Sequence, residues 1–115
     1  MKHNNGSIEV ITGSMFCGKT DELIRRLRRA TIAKQKIQVF KPKIDNRYDD
    51  KHIVSHSKMK APSRKVEKAV EITNLVYNNT EVVAIDEVQF FDDSIVDVCD
   101  TLASLGKRVI VACLD

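Results

Sequence analysis

Gly13-Ser14-Met15-Phe16-Cys17-Gly18-Lys19-Thr20 fits the pattern G-x-x-x-x-G-K-[ST]. The apolar run Ile8 to Thr12 leads into it and reads as a buried strand. The helical pattern Asp21 to Lys34 leads out of it. Strand, loop, helix is the context in which this pattern holds nucleotide phosphates. Gly13 and Gly18 let the backbone turn tightly and approach a ligand with no Cβ in the way. The N–H groups of the loop form a concave anion nest. A helix starting near Thr20 adds unpaired N–H groups and the positive end of its dipole. Lys19 places a point charge on the β- and γ-phosphates, and the Thr20 hydroxyl is suited to Mg²⁺.

A chain of 115 residues gives one domain, 1–115, as the natural expectation. That length buries roughly two-thirds of the unfolded surface. Hydrophobic residues make up 43% and charged residues 30%, the balance of a soluble globular protein. The net charge of +3 suits a protein that handles phosphates and does not call for nucleic acid. No apolar run approaches the ~20 residues of a membrane span, and the polar start Met1 to Gly6 carries no signal peptide. Cys17, Cys99 and Cys113 are odd in number and widely spaced, which supports neither a zinc site nor a disulfide framework. Free thiols point to a reducing, cytoplasmic setting. Cys17 lies within the phosphate loop, either as a small filler or as a reachable thiol.

The rest of the chain alternates strands and helices. After the loop, Leu23, Leu27 and Ala30 recur at helical spacing, with Arg25, Arg26, Arg28 and Arg29 on the other faces. These arginines read as a solvated face partly paired with Asp21 and Glu22, or as a nucleic-acid stripe. Ile37 to Phe40 reads as a second strand ended by Lys41-Pro42. Residues 43–63 turn polar and read as one long loop, functional or disordered. Glu71 to Asn78 is a short helical pattern. Glu81 to Asp86 is an unbroken apolar run ending in acid. A helix opens at Asp92-Asp93-Ser94, capped by Asp93 or Ser94. Its inner stripe is Ile95, Val98, Cys99, Leu102 and Leu105, and Gly106 ends it. Lys107 to Leu114 opens a further buried strand. Continuous apolar strands separated by helices imply a parallel sheet covered on both faces.

An apolar strand ending in aspartate is the partner of a phosphate loop. Such an acid lies at the ligand crevice outside the carboxyl ends of the strands. Asp86 is thus the candidate Mg²⁺ ligand alongside Thr20. Glu87 leaves the strand in another direction and is placed to take a proton from an incoming hydroxyl.

The phosphate loop, the arginine-rich helix, Phe40-Lys41-Pro42-Lys43-Ile44-Asp45-Asn46-Arg47-Tyr48, Ser55-His56 and Ile85-Asp86-Glu87-Val88-Gln89-Phe90-Phe91 together resemble the cytosolic, zinc-containing (type II) class of thymidine kinases. The resemblance runs in order over nearly the whole chain. It implies an α/β P-loop NTPase fold of RecA-like type, a parallel sheet with helices on both faces. It implies ATP on Gly13, Ser14, Met15, Phe16, Cys17, Gly18, Lys19 and Thr20, with Asp86, Glu87, Val88 and Gln89 as a second nucleotide-contacting block. Glu87 becomes the general base for the 5′-hydroxyl of thymidine, with Thr20 and Asp86 at Mg²⁺. Met15, Phe90 and Leu114 match positions that line the thymine pocket; by their own chemistry Met15 and Phe90 are equally plain core. Arg47 matches an arginine near the active site, where a guanidinium offsets phosphoryl charge. Family members continue for several dozen residues past Leu114-Asp115, through a last strand and a zinc-bearing lasso. The expected domain is therefore C-terminally incomplete, with no zinc ligands.

The resulting expectation is ATP-dependent phosphorylation of thymidine to dTMP in deoxynucleotide salvage, in the cytoplasm. Thymidine and ATP are the small-molecule partners, with no nucleic acid and no membrane, and a homo-oligomer (a tetramer in the family) at full length. Two alternatives stay open: a kinase of another nucleoside, and a catalytically incomplete ATP-binding fragment.

Overall fold

The computed structural model describes residues 6–13, 19–43, 52–54 and 60–114. Ser7–Gly13 forms β1, and Lys19–Ile32 forms α1. Ile37–Pro42 forms β2, followed by two short strands, β3 (His52–Val54) and β4 (Lys60–Pro62). β5 is Arg64–Val66, α2 is Val70–Leu75 and β6 is Val82–Ile85. A single 3₁₀ turn, Val88–Phe90, precedes α3 (Ser94–Ser104) and β7 (Arg108–Leu114). The main sheet has the order β1-β7-β6-β2-β5, and all its pairs are parallel. This is the expected α/β architecture.

Alternation along the strands feeds two separate cores. On one face, Ile11, Val39, Val82, Ala84, Ile110 and Ala112 pack with Leu23, Ile24, Leu27 and Ala30 of α1. On the other, Phe40, Val83, Ile85, Val109 and Val111 pack with Ile72 of α2 and with Ile95, Val98, Cys99 and Leu102 of α3. Each central strand is buried on both faces, so its sequence reads as an apolar run. At the β1 edge the α3-side face is open: Ile8 is 40% exposed and Val10 58%.

Four local expectations are corrected or made more precise. Residues 43–63 are not one loop. β3 and β4 pair antiparallel within that span, and β5 follows immediately, parallel to β2. Strands of three residues are too short to leave a periodic signal. The second strand does not end before Lys41-Pro42 but includes both residues, which pair with β5. The last ladder bond toward β6 is Asp86 N–H to the Phe40 carbonyl at 3.0 Å, and Lys43 N–H donates to Val66 at 2.8 Å on the β5 side. The missing N–H of Pro42 thus faces a side where the ladder has already ended. Asp93 holds the N-cap position of α3 as expected but makes no side-chain cap bond; the carboxylate at this end is that of Asp92, whose Oδ1 accepts from Ser94 N–H at 3.1 Å and from the Ser94 hydroxyl. Leu105 is 64% exposed and sits outside the inner stripe. The helix has ended there, and Gly106 turns the chain at φ +89°.

Candidate nucleotide site

The site is a property of one edge of the sheet. β1 ends at Gly13 and α1 begins at Lys19, so the segment between them leaves the carboxyl end of β1. Register places the acidic pair at the same edge. Val10 pairs with Val111 and Ile85 with Val111, so Asp86 lies level with Ala112 and Ile11, two residues short of Gly13. One strand, β7, separates β1 from β6. At ~4.8 Å per strand, Asp86 stands roughly 10 Å from the axis of β1, a span that a bound triphosphate bridges. Ser14, Met15, Phe16, Cys17 and Gly18 lie outside the described residues.

α1 meets the edge with its N-terminus, where Lys19 and Thr20 are both half-buried. Glu22 in its first turn collects Arg26 at 2.7 Å, Arg25 at 3.3 Å and Arg29 at 3.7 Å. The arginine-rich face is therefore largely an ion-paired surface. Its hydrogen bonds from Arg26 and Arg25 hold the Glu22 carboxyl below its ordinary range.

Asp86 is 5% exposed, and its Oδ1 accepts the Glu87 N–H at 2.9 Å. That bond exists because Glu87 turns into the left-handed region at φ 55°, ψ 45°. A left-handed non-glycine residue costs about 1–2 kcal/mol, and such strain concentrates at functional sites. The turn swings the half-buried Glu87 away from the strand direction. Separation of the two carboxylates thus comes from this kink. The Glu87 carbonyl then accepts Phe90 N–H at 3.1 Å, closing the 3₁₀ turn.

The turn sorts the remaining expected residues. Gln89 is exposed, and Phe90 is 55% exposed, which removes the plain-core reading of Phe90. Val88 packs toward the α3 core. It lines an apolar cleft of about 180 Å³ with Ile8, Ile95, Val96, Cys99 and Val111, so its side chain is committed to the α3 side. Leu114 is placed by its backbone alone, paired with Gly13 at the same edge. Arg47, Ser55 and His56 lie outside the described residues. The Cys99 thiol is pushed up to about 11 by burial and by the nearby Asp100 charge, which makes it inert.

The donor chemistry fits a magnesium ion. A buried carboxylate with one oxygen fixed by a backbone N–H and a threonine hydroxyl are hard oxygen ligands, and Mg²⁺ in such sites takes few protein ligands beside phosphates. Among the described residues, no group of three or more His, Cys, Asp or Glu side chains could hold a metal ion. No helix among them is long and apolar enough to cross a membrane.

Among the buried residues that the sequence reading did not place in the core, one carries a charge in the main sheet. Lys41, near the carboxyl end of β2, is 5% exposed. Its signal was a charge at a position where strand alternation asks for a core residue.

Comparison with known proteins bears on this arrangement. The sequence model of the family described as Thymidine kinase matches residues 6–115. A curated protein of Rhodothermus sp. (strain ITI 518), named Thymidine kinase, is 57% identical over 110 residues, covering 96% of this chain. The chain spans about half, 51%, of that relative's length.

Proposed function

Since the chain belongs to the thymidine kinase family, we propose that it carries the ATP-binding and phosphoryl-transferring part of an enzyme that converts thymidine and ATP to dTMP and ADP. The observation that carries this reading is the convergence of three pieces on one sheet edge. These are the end of β1 at Gly13, the start of α1 at Lys19, and the kinked pair Asp86-Glu87.

The roles follow from chemistry. The loop N–H groups and the α1 N-terminus cradle the phosphates. Lys19 neutralises charge on the β- and γ-phosphates. Asp86 and Thr20 would hold Mg²⁺, which when bound would supply positive charge to offset that developing on the phosphates. Glu87 accepts the proton of the thymidine 5′-hydroxyl as that oxygen attacks the γ-phosphorus. Met15, Phe90 and Leu114 contribute to the thymine side, and Arg47 offsets phosphoryl charge. The setting is cytoplasmic deoxynucleotide salvage, with a homo-oligomer, a tetramer in the family, at full length.

A second reading rests on the 51% coverage of the relative: an ATP-binding piece whose acceptor site is completed elsewhere. ADP formation from ATP and Mg²⁺, followed with thymidine and with other nucleosides, tests both readings. Thymidine-dependent ADP formation supports the kinase. ATP binding without turnover by this chain supports the second reading. Preference for another nucleoside overturns the assignment of thymidine.

A further inference from the structure

The kink at Glu87 has a cause on the α3 side of the sheet. Ala84 belongs to the α1-side core and Ile85 to the α3-side core, so the faces alternate along β6. Asp86 still bonds to β2, its N–H donating to the Phe40 carbonyl at 3.0 Å. One more extended residue would turn the Glu87 carboxylate to the α3 side, among Ile95, Cys99 and Val111. Those side chains are buried and largely apolar, and a carboxylate among them is costly. The left-handed turn at Glu87 avoids that cost and puts Val88 there instead. Val88 packs on the α3-side core and lines the apolar cleft with Ile95, Cys99 and Val111.

Phe91 fixes the other end of the turn. It follows Val88 by three residues, the spacing at which side chains of a 3₁₀ turn lie over one another. Phe91 also packs on the α3-side core, and its N–H donates to the Val88 carbonyl at 3.0 Å. Between the two, Gln89 and Phe90 stay exposed. A strained backbone residue persists only where its surroundings over-determine it, and these two apolar contacts supply that constraint.

We propose that Val88, backed by Phe91, is a positioning residue for the transfer step. Its packing on the α3-side core holds Glu87 in the left-handed turn and keeps the carboxylate out of that core, at the sheet edge. This rests on the kinase reading above, in which Glu87 is the base. Val88 acts through Glu87, a role separate from any contact of its own with nucleotide.

The test follows the backbone couplings and carbon chemical shifts of Glu87 by NMR, which report its φ, in the chain and in its Val88→Ala and Val88→Ile variants. Thymidine-dependent ADP formation is measured in parallel. Val88→Ala is expected to lower the left-handed population of Glu87 in the folded chain at least fivefold, to lower kcat by a matching factor and to leave KM for ATP within twofold. Val88→Ile keeps the apolar contact, has the cleft beside it for the extra methyl, and is expected to recover most of both losses. In a Glu87→Gln background, Val88→Ala should change the residual rate less than twofold, because the group being positioned is gone. Wild-type φ at Glu87 in folded Val88→Ala overturns the proposal. So does a loss of rate that persists undiminished in the Glu87→Gln background, or one carried by KM for ATP, because Val88 is then general packing or a nucleotide contact. If Val88→Ala does not fold, Val88→Thr keeps the shape, removes the apolar character and is read against the same outcomes. A Val88-dependent turn in a chain with no thymidine-dependent transfer keeps Val88 as the residue that holds Glu87 and removes the kinase reading. Full transfer in Val88→Ala with the turn lost keeps the kinase reading and overturns the positioning role.

Discussion

Glu87 concentrates the chemistry of the molecule in one strained residue. Its left-handed backbone aims its own N–H at Asp86 and its side chain elsewhere. Strain and function separate by substitution. Glu87→Gly relieves a cost of about 1–2 kcal/mol and adds unfolded-state entropy of about 0.5–1 kcal/mol. The expected outcome is a melting midpoint equal to or slightly above that of the wild type, with transfer abolished. Glu87→Gln keeps ATP binding and lowers the transfer rate by about 10²–10⁴-fold, the usual worth of a general base. Rapid-quench measurement of ADP at saturating ATP decides it, and full activity in Glu87→Gln removes the base assignment. Lys19→Ala should show the opposite pattern, with ATP affinity itself falling in equilibrium titration, because its charge meets the ground-state phosphates.

Two junctions between elements hold the sheet edge in place from the far end. Lys107 is 6% exposed, and its Nζ donates to the carbonyls of Thr80 at 2.8 Å and of Tyr77 and Asn78 at 3.2 Å. One ammonium thus ties the α2–β6 turn to the start of β7. Lys107→Met keeps the length and leaves those carbonyls without their donor. We expect a loss of about 2–4 kcal/mol in urea unfolding, with ATP affinity per folded molecule unchanged. Gly6 passes so close to α3 that an added Cβ would lie 1.8 Å from the Ala103 carbonyl oxygen. Gly6→Ala should pull the start of β1 off α3 and cost about 1–3 kcal/mol. An unchanged unfolding midpoint would show that the contact is not maintained in solution.

Across the whole molecule, the two ends of the chain are joined through Glu9. Its carboxylate receives Arg108 of β7, with Nη2 at 3.0 Å, and Arg26 of α1 at 2.9 Å. The hydrogen bond from Arg108, reinforced by Arg26, holds the Glu9 carboxyl below its ordinary value of 4.5. The sign follows from linkage. A carboxyl whose folded value is depressed contributes stability above its unfolded value, and that contribution is lost as pH falls through the folded value. Wild-type stability should therefore fall with acid below about pH 4.5 more steeply than that of Glu9→Gln. Chemical unfolding at stepwise lower pH checks this, and parallel curves for the two proteins would exclude Glu9 as the source.

The local sequence determined the elements and their order. Glu81 to Asp86 and Lys107 to Leu114 are apolar runs that a doubly covered parallel strand explains, whereas Ile8 to Thr12, read as a buried strand, is an edge strand with Ile8 and Val10 exposed; Gly106 marks a helix end that needs positive φ. Asp86 was legible because an acid closing such a run falls at the crevice edge. The short strands β3, β4 and β5 were not, since three residues carry no period and pairing to distant partners decides their state. The direction of Glu87 was not legible either. Nothing in its neighbours demands a left-handed residue, and that turn arises where β6 ends against β2 and the chain must enter the 3₁₀ turn. The place of Lys41 beside Asp86 belongs to tertiary structure alone. Residues 45 positions apart become neighbours only when two strands align in register, and a linear sequence records the side chains but not that alignment.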